Sequence, residues 1–142
     1  MSMERLKHVK ETLMSVIESQ MAHIHDVDAQ ELGEAIDMIK DLVAYGRSQE
    51  KEHNKKFRFT LTTNGMLLND DVMEFANKEM ANVVLSIDGR KEVHDFMRPT
   101  RNGKGSYDLI VPKIQRFVSL RGDKDHYIRG TFTRNNLDFS ND

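Results

Sequence analysis

The pattern of apolar and polar residues changes period once along the chain. In residues 3–24, Leu6, Val9, Leu13, Val16, Ile17, Met21 and Ile24 recur at three- and four-residue steps, with Lys7, Lys10, Glu11 and Glu18 between them. That spacing puts the apolar side chains on one face of a helix. Residues 25–28 break the pattern. Asp28 followed by Glu31 has the spacing of a capping box, with Asp in place of the usual Ser or Thr, and predicts a second helix. Leu32, Ile36, Ile39, Leu42 and Val43 form its apolar face, and it extends to about Glu52. The two helices together predict an N-terminal α-helical hairpin.

From Lys55 onward the period becomes two. Phe57, Phe59 and Leu61 alternate with Arg58, Thr60 and Thr62, which predicts a strand. Thr63, Asn64 and Gly65 end it, and Asn69 is placed to cap a helix containing Val72, Phe75, Ala76 and Met80. Residues 82–88 alternate again, through Val83, Leu85 and Ile87. A loop over residues 98–105 leads to a helix over residues 106–120. Pro112 should kink that helix, because it offers no donor to the carbonyl four residues back. Residues 127–133 form the third predicted strand, with Ile128 and Phe132 on one side and Arg129, Thr131 and Thr133 on the other.

Strand, helix, strand, helix, strand predicts an α/β fold of parallel strands joined by right-handed crossovers. Each strand has one apolar and one largely polar face, whereas an open doubly wound sheet buries both faces under helices. The polar faces therefore suit the lumen of a barrel, and the apolar faces should meet the helices. Phe57, Phe59, Leu61, Val83, Leu85, Ile87, Ile128 and Phe132 are expected to be buried under helices over residues 72–80 and 109–120. Three strands make only an incomplete (β/α) barrel.

Composition narrows what such a fold does. The 142 residues suffice for one domain with a core or two small units. A net charge of -2 gives no general attraction to nucleic acid or an anionic membrane, so neither is an expected partner. No apolar run approaches the ~20 residues of a spanning helix, and no signal-peptide core is seen at the N-terminus, so the expected location is the cytoplasm. The chain contains no cysteine, which excludes disulfides, thiolate nucleophiles and any iron–sulfur cluster held by this chain's own thiolates.

The richest chemistry lies where the second strand ends, at Ser86, Asp88, Gly89, His94, Asp95 and Arg98. Ser86 and Asp88 are two apart, so both point to the polar face near the carboxyl end of the strand. Barrels of this type gather their ligand groups there. A hydroxyl and a guanidinium at that edge could hold a carboxylate or a ribose by charge-assisted hydrogen bonds. Equally, Ser86 and Asp88 could simply cap the strand and the turn after it.

The runs FTLTTNGMLL, VVLSIDGRKEVHDFMRPT, NGKGSYDLIVPKI and YIRGTFTRNNLDFS resemble radical S-adenosylmethionine enzymes of the SPASM type, in particular the maturases that install thioether cross-links in cysteine-rich SCIFF peptides. The resemblance covers residues 39–142. It implies the third to fifth strands of a partial barrel that binds S-adenosylmethionine against a [4Fe–4S] cluster and acts on a precursor peptide. Ser86 and Arg98 match the positions that contact S-adenosylmethionine in that family. Asn64 matches the asparagine of its T-N-G motif, and Asp88 matches a supporting residue of its S-x-D-G strand. The family's C-x-x-x-C-x-x-C loop and G-G-E strand are not found in these residues. Residues 1–38 instead resemble a small helical protein of Gram-positive phage-like regions.

The expected function is accordingly that of a radical S-adenosylmethionine peptide-maturase fragment, inactive alone for want of cluster cysteines. The alternative is a non-catalytic module whose helical hairpin contacts another protein, with the α/β part as passive scaffold. The exposed sheet edges make a homodimer or a partner chain plausible in either case. Other candidates are weaker. His23 and His25 are two apart and cannot share a helix face, so no metal site is expected there. Gly103, Lys104, Gly105 and Ser106 could cradle a phosphate but lack P-loop spacing. Lys55, Lys56 and Arg58 read as a solvated strand end, and Met14, Met21 and Met38 as core filler.

Overall fold

The computed structural model describes residues 29–138 and 140. The predicted first helix, the Asp28 cap, His23 and His25 lie outside the described residues. What is described is a mixed α/β unit: α1 (Ala29–Glu52), β1 (Phe59–Thr63), α2 (Asp70–Glu79), β2 (Met80–Ser86), α3 (Lys91–Met97), α4 (Tyr107–Arg121) and β3 (Asp125–Arg129). The strands form one sheet in the order β1-β2-β3, and both pairings are parallel.

The register assigns the faces. Leu61 pairs with Val83 and Leu85 with Ile128, while Thr62 pairs with Val84 and Ser86 with Arg129. Paired residues share a face, so the apolar and polar sets separate as the period of two predicts. A register shift between Phe59 and Thr60 sets Met80 and Ala81 against Phe59 alone.

Helices cover the Val83 and Leu85 face. Asn69 starts α2 by accepting a hydrogen bond on Oδ1 from the Val72 amide at 2.9 Å, and Asp70 and Asp71 complement the helix dipole in the first turn. The inward residues of α2 are Val72, Met73 and Ala76, and those of α4 are Ile110, Ile114 and Phe117. They join Val43, Leu68, Met80, Val83 and Leu85 in one buried cluster. Truncating a fully buried core aromatic such as Phe117 to Ala would remove about 3–5 kcal/mol of stability.

Two arginines tie the ends of these elements together. Arg47 of α1 donates from Nε to Glu79 at 3.1 Å, from Nη1 to Glu50 at 2.6 Å and from Nη2 to the Glu79 carbonyl at 3.2 Å, with its guanidinium over the Phe59 ring. Arg121, buried at the end of α4, donates to the carbonyls of Asp125 and Met80 at 2.8 and 3.1 Å. A buried guanidinium is stable only where carbonyls take its protons, and here the chain junctions supply them.

Several expectations need correction. Phe57 precedes β1 and is 44% exposed, stacked on Phe59 rather than buried. Ile128 and Phe132 are 56% and 63% exposed, because the described helices lie over β1 and β2 and leave the β3 side uncovered. Met80 belongs to β2, not to the preceding helix, which passes into the strand without a loop. Strand β3 ends at Arg129, four residues before the predicted end. Pro112 lies inside α4, where the sequence placed it. Among the described residues no helix is long and apolar enough to cross a membrane.

Candidate functional site

The carboxyl end of β2 carries a polar network that joins several elements. The Ile87 amide donates to the Arg129 carbonyl at 3.0 Å, which continues the ladder one residue past the strand. Asp88 therefore keeps the face of Ser86. Gly89 then turns the chain at φ 86°, a conformation that suits a residue without Cβ, and α3 follows.

Ser86 is 5% exposed and Asp88 1% exposed. The Asp88 carboxylate accepts from Arg98 Nε at 2.6 Å, from Arg98 Nη2 at 3.2 Å and from the Thr131 amide at 2.7 Å. Burial works against its charge, but these hydrogen bonds and the nearby Arg98 guanidinium outweigh it. The carboxyl is held below its usual range. Among the described residues, Arg98 Nη1 donates to no acceptor, and the Arg98 side chain keeps 22% of its exposure. Asp88 thus fixes the guanidinium while leaving one of its nitrogens available.

A second layer supports this pair. His94 is fully buried, with Nδ1 at 3.1 Å from the Asp88 amide and Nε2 at 3.1 Å from Ser106 Oγ. Ser106 donates in turn to the Arg98 carbonyl at 2.5 Å. Asn136, also fully buried, accepts from the Thr133 amide at 2.6 Å and donates to the Thr131 carbonyl at 2.9 Å. The segment after β3 thus meets the carboxyl edge: the Thr131 amide bonds Asp88, and Asn136 braces the loop that presents it.

The four residues singled out from sequence separate into a pair and two neighbours. Asp88 and Arg98 are in direct contact. Ser86 lies two residues before Asp88 on the same face, with no hydrogen bond from its hydroxyl among the described residues. Asn64 is exposed after β1, and its Oδ1 closes a local turn by accepting from the Met66 amide at 3.1 Å. The residues 103–106 are not a phosphate cradle: the Asp95 carboxylate already holds the start of α4, accepting from the Tyr107 amide at 2.8 Å. An added Cβ at Gly105 would overlap that carboxylate.

Sequence reasoning missed α3, His94 as a buried bridge, and Thr131, Ser106 and Asn136. The signal for α3 was slight, since seven residues hold barely two turns. An open depression of ≈ 610 Å³ lies elsewhere, between the start of α2 and α4, lined in part by Asn69, Asp70, Lys113 and Arg116.

The fold and this edge define a parallel α/β unit with a buried ion pair at the end of its central strand. No family model matches the chain. Over 80 residues, 56% of its length, it is 30% identical to a cysteine-type anaerobic sulfatase-maturating enzyme of Clostridium novyi (strain NT). The match spans about a fifth of that enzyme, 21% of its length. This similarity supports the radical S-adenosylmethionine class and nothing narrower.

Proposed function

We propose that the chain is part of the barrel of a radical S-adenosylmethionine peptide maturase, one that forms thioether links in a cysteine-rich precursor peptide. Residues 39–142 would supply its third to fifth strands. Ser86 and Arg98 would meet S-adenosylmethionine at the carboxyl edge, Asp88 would hold Arg98 in place, and Asn64 would line the neighbouring strand's mouth. The observation that carries this reading is the arrangement of Arg98: Nε and Nη2 are anchored on Asp88, two residues after Ser86, and among the described residues Nη1 has no acceptor.

A [4Fe–4S] cluster does not fit the residues present. The chain has no cysteine, and among the described residues no group of three potential ligands is close enough to hold a metal ion. On this reading the 142 residues are inactive alone, and another polypeptide segment supplies the cluster. The edges of β1 and β3 give such a segment, or a second copy of the chain, a place to pair. The missing thiolates also favour a second reading, a non-catalytic module in which residues 1–38 contact a partner protein.

Titration calorimetry with S-adenosylmethionine tests the first reading. Weak binding is expected, with a loss of about tenfold, ~1.4 kcal/mol, on Ser86→Ala. Equal heats from Ser86→Ala and the parent chain would remove Ser86 from the site, and no heat from a folded parent chain would favour the second reading.

A further inference from the structure

The surroundings of His94 fix where its proton sits. Nδ1 faces the Asp88 amide, which has one proton to give, so Nδ1 must accept. Nε2 faces Ser106 Oγ, whose own proton goes to the Arg98 carbonyl. The hydroxyl is then left to accept from the ring, and the ring must donate from Nε2. Both bonds are satisfied only by the neutral imidazole with its proton on Nε2. A second proton, on Nδ1, would set donor against donor in a fully buried space.

We propose that His94 is a pH-sensitive latch: as the neutral ring it holds the turn after β2 to the start of α4, and as imidazolium it lets the Asp88–Arg98 end of the site open. The groups facing it come from several elements. Asp88 lies beyond β2, Asp95 is its neighbour on α3, Arg98 follows α3, and the Tyr107 ring of α4 meets it edge-on at 5.8 Å. Burial is the largest influence and lowers the pKa, and Arg98 acts in the same direction. Asp88 and Asp95 oppose them without prevailing. The closed form therefore binds the proton less readily than an open one would. Closure is complete above the ordinary histidine range and is lost as pH falls through the lowered value.

The link to the site is direct. The Asp88 amide that His94 holds belongs to the residue whose carboxylate grips Arg98, and the Arg98 amide donates to the His94 carbonyl at 2.8 Å. Ser106 joins the ring to the Arg98 carbonyl from the other side. Releasing the ring thus removes one hold on each partner of the ion pair, the bond to the Asp88 amide and the Ser106 bridge to the Arg98 carbonyl. The inference stands whatever ligand the edge takes.

Nitrogen-15 spectra of the full chain, recorded from about pH 8 to pH 5, test it; that span brackets the ordinary histidine value. At the upper end the His94 ring should carry its proton on Nε2. On acidification His94 should charge below the ordinary histidine range, and the Asp88 and Thr131 amides should shift on the same curve, with the core amides of Val83 and Phe117 unmoved. His94→Asn keeps an acceptor for the Asp88 amide but does not titrate, so those shifts should vanish in it. A proton on Nδ1 would overturn the proposal. So would unmoved Asp88 and Thr131 amides as His94 titrates, loss of the core amides on the same curve, or the same shifts in His94→Asn. Should that variant not fold, the parent chain's tautomer and the comparison of edge with core amides decide the matter alone.

Discussion

Arg98 grips Asp88 through two nitrogens, Nε at 2.6 Å and Nη2 at 3.2 Å, across a separation of ten residues. The contact closes the whole stretch from the end of β2 through α3 onto one buried carboxylate. Breaking a buried pair leaves an uncompensated charge. Arg98→Ala should therefore destabilise the chain by about 3 kcal/mol, towards the lower end for such pairs because Arg98 is partly exposed. Arg98→Lys should lose about half as much, since a single ammonium replaces a forked donor. Urea denaturation measures both, and equal midpoints for Arg98→Ala and the parent chain would show that the pair contributes nothing.

Gly105 should tolerate no side chain while Asp95 is present. Its Cβ would overlap the Asp95 carboxylate, which is held by the Tyr107 amide. Gly105→Ala is expected to cost about 1–3 kcal/mol, the range for overpacking. In an Asp95→Ala background the same change should cost much less, because the obstructing group is gone. A double-mutant cycle reads the difference directly, and additive effects would contradict the close approach.

The parts of this molecule legible in its sequence are those set by local period. Alternation in β1 and β2 gave the strand faces, and with them the placement of Ser86 and Asp88, because a period of two fixes each side chain once pairing is set. The boundary at Met80 was hidden, since helix and strand abut with no turn residue between them. Ile128 and Phe132 carry the same apolar signal as Leu85, but whether an apolar position is buried depends on what lies over it. Arg121 shows the converse: a charged residue sits in the core because carbonyls from three chain segments converge on it. His94 and Ser106 are twelve residues apart and on different helices' edges, so their bond leaves no periodic trace.

Stability should fall in acid in two separate windows. His94 has a lowered pKa in the folded chain, so its contribution is present above the unfolded value of ~6.5 and is lost as pH falls through the lowered one. Asp88 is also lowered, so its contribution is present above ~3.9 and is lost as pH falls through its own lowered value. Tm measured against pH should show both declines. His94→Asn should remove the upper one alone, and Asp88→Asn the lower one; a single decline common to both variants would dissociate it from these residues.

Supplied anaerobically with iron and sulfide, the purified chain of 142 residues should assemble no [4Fe–4S] cluster. Such clusters are held by cysteine thiolates, and the sequence has none. Carboxylates and imidazoles are poorer ligands for a sulfide-bridged core, and among the described residues they do not gather in threes. Iron content after desalting should therefore stay far below one cluster per chain, with no charge-transfer band in the visible spectrum. Adding a second polypeptide that bears a C-x-x-x-C-x-x-C loop distinguishes the two functional readings. If residues 39–142 are barrel strands, the complex should hold the cluster and S-adenosylmethionine should bind to it, with affinity reduced by Ser86→Ala. A stoichiometric cluster on the chain alone would overturn the expectation from its composition. A complex that forms equally well with residues 1–38 alone would instead favour the interaction module.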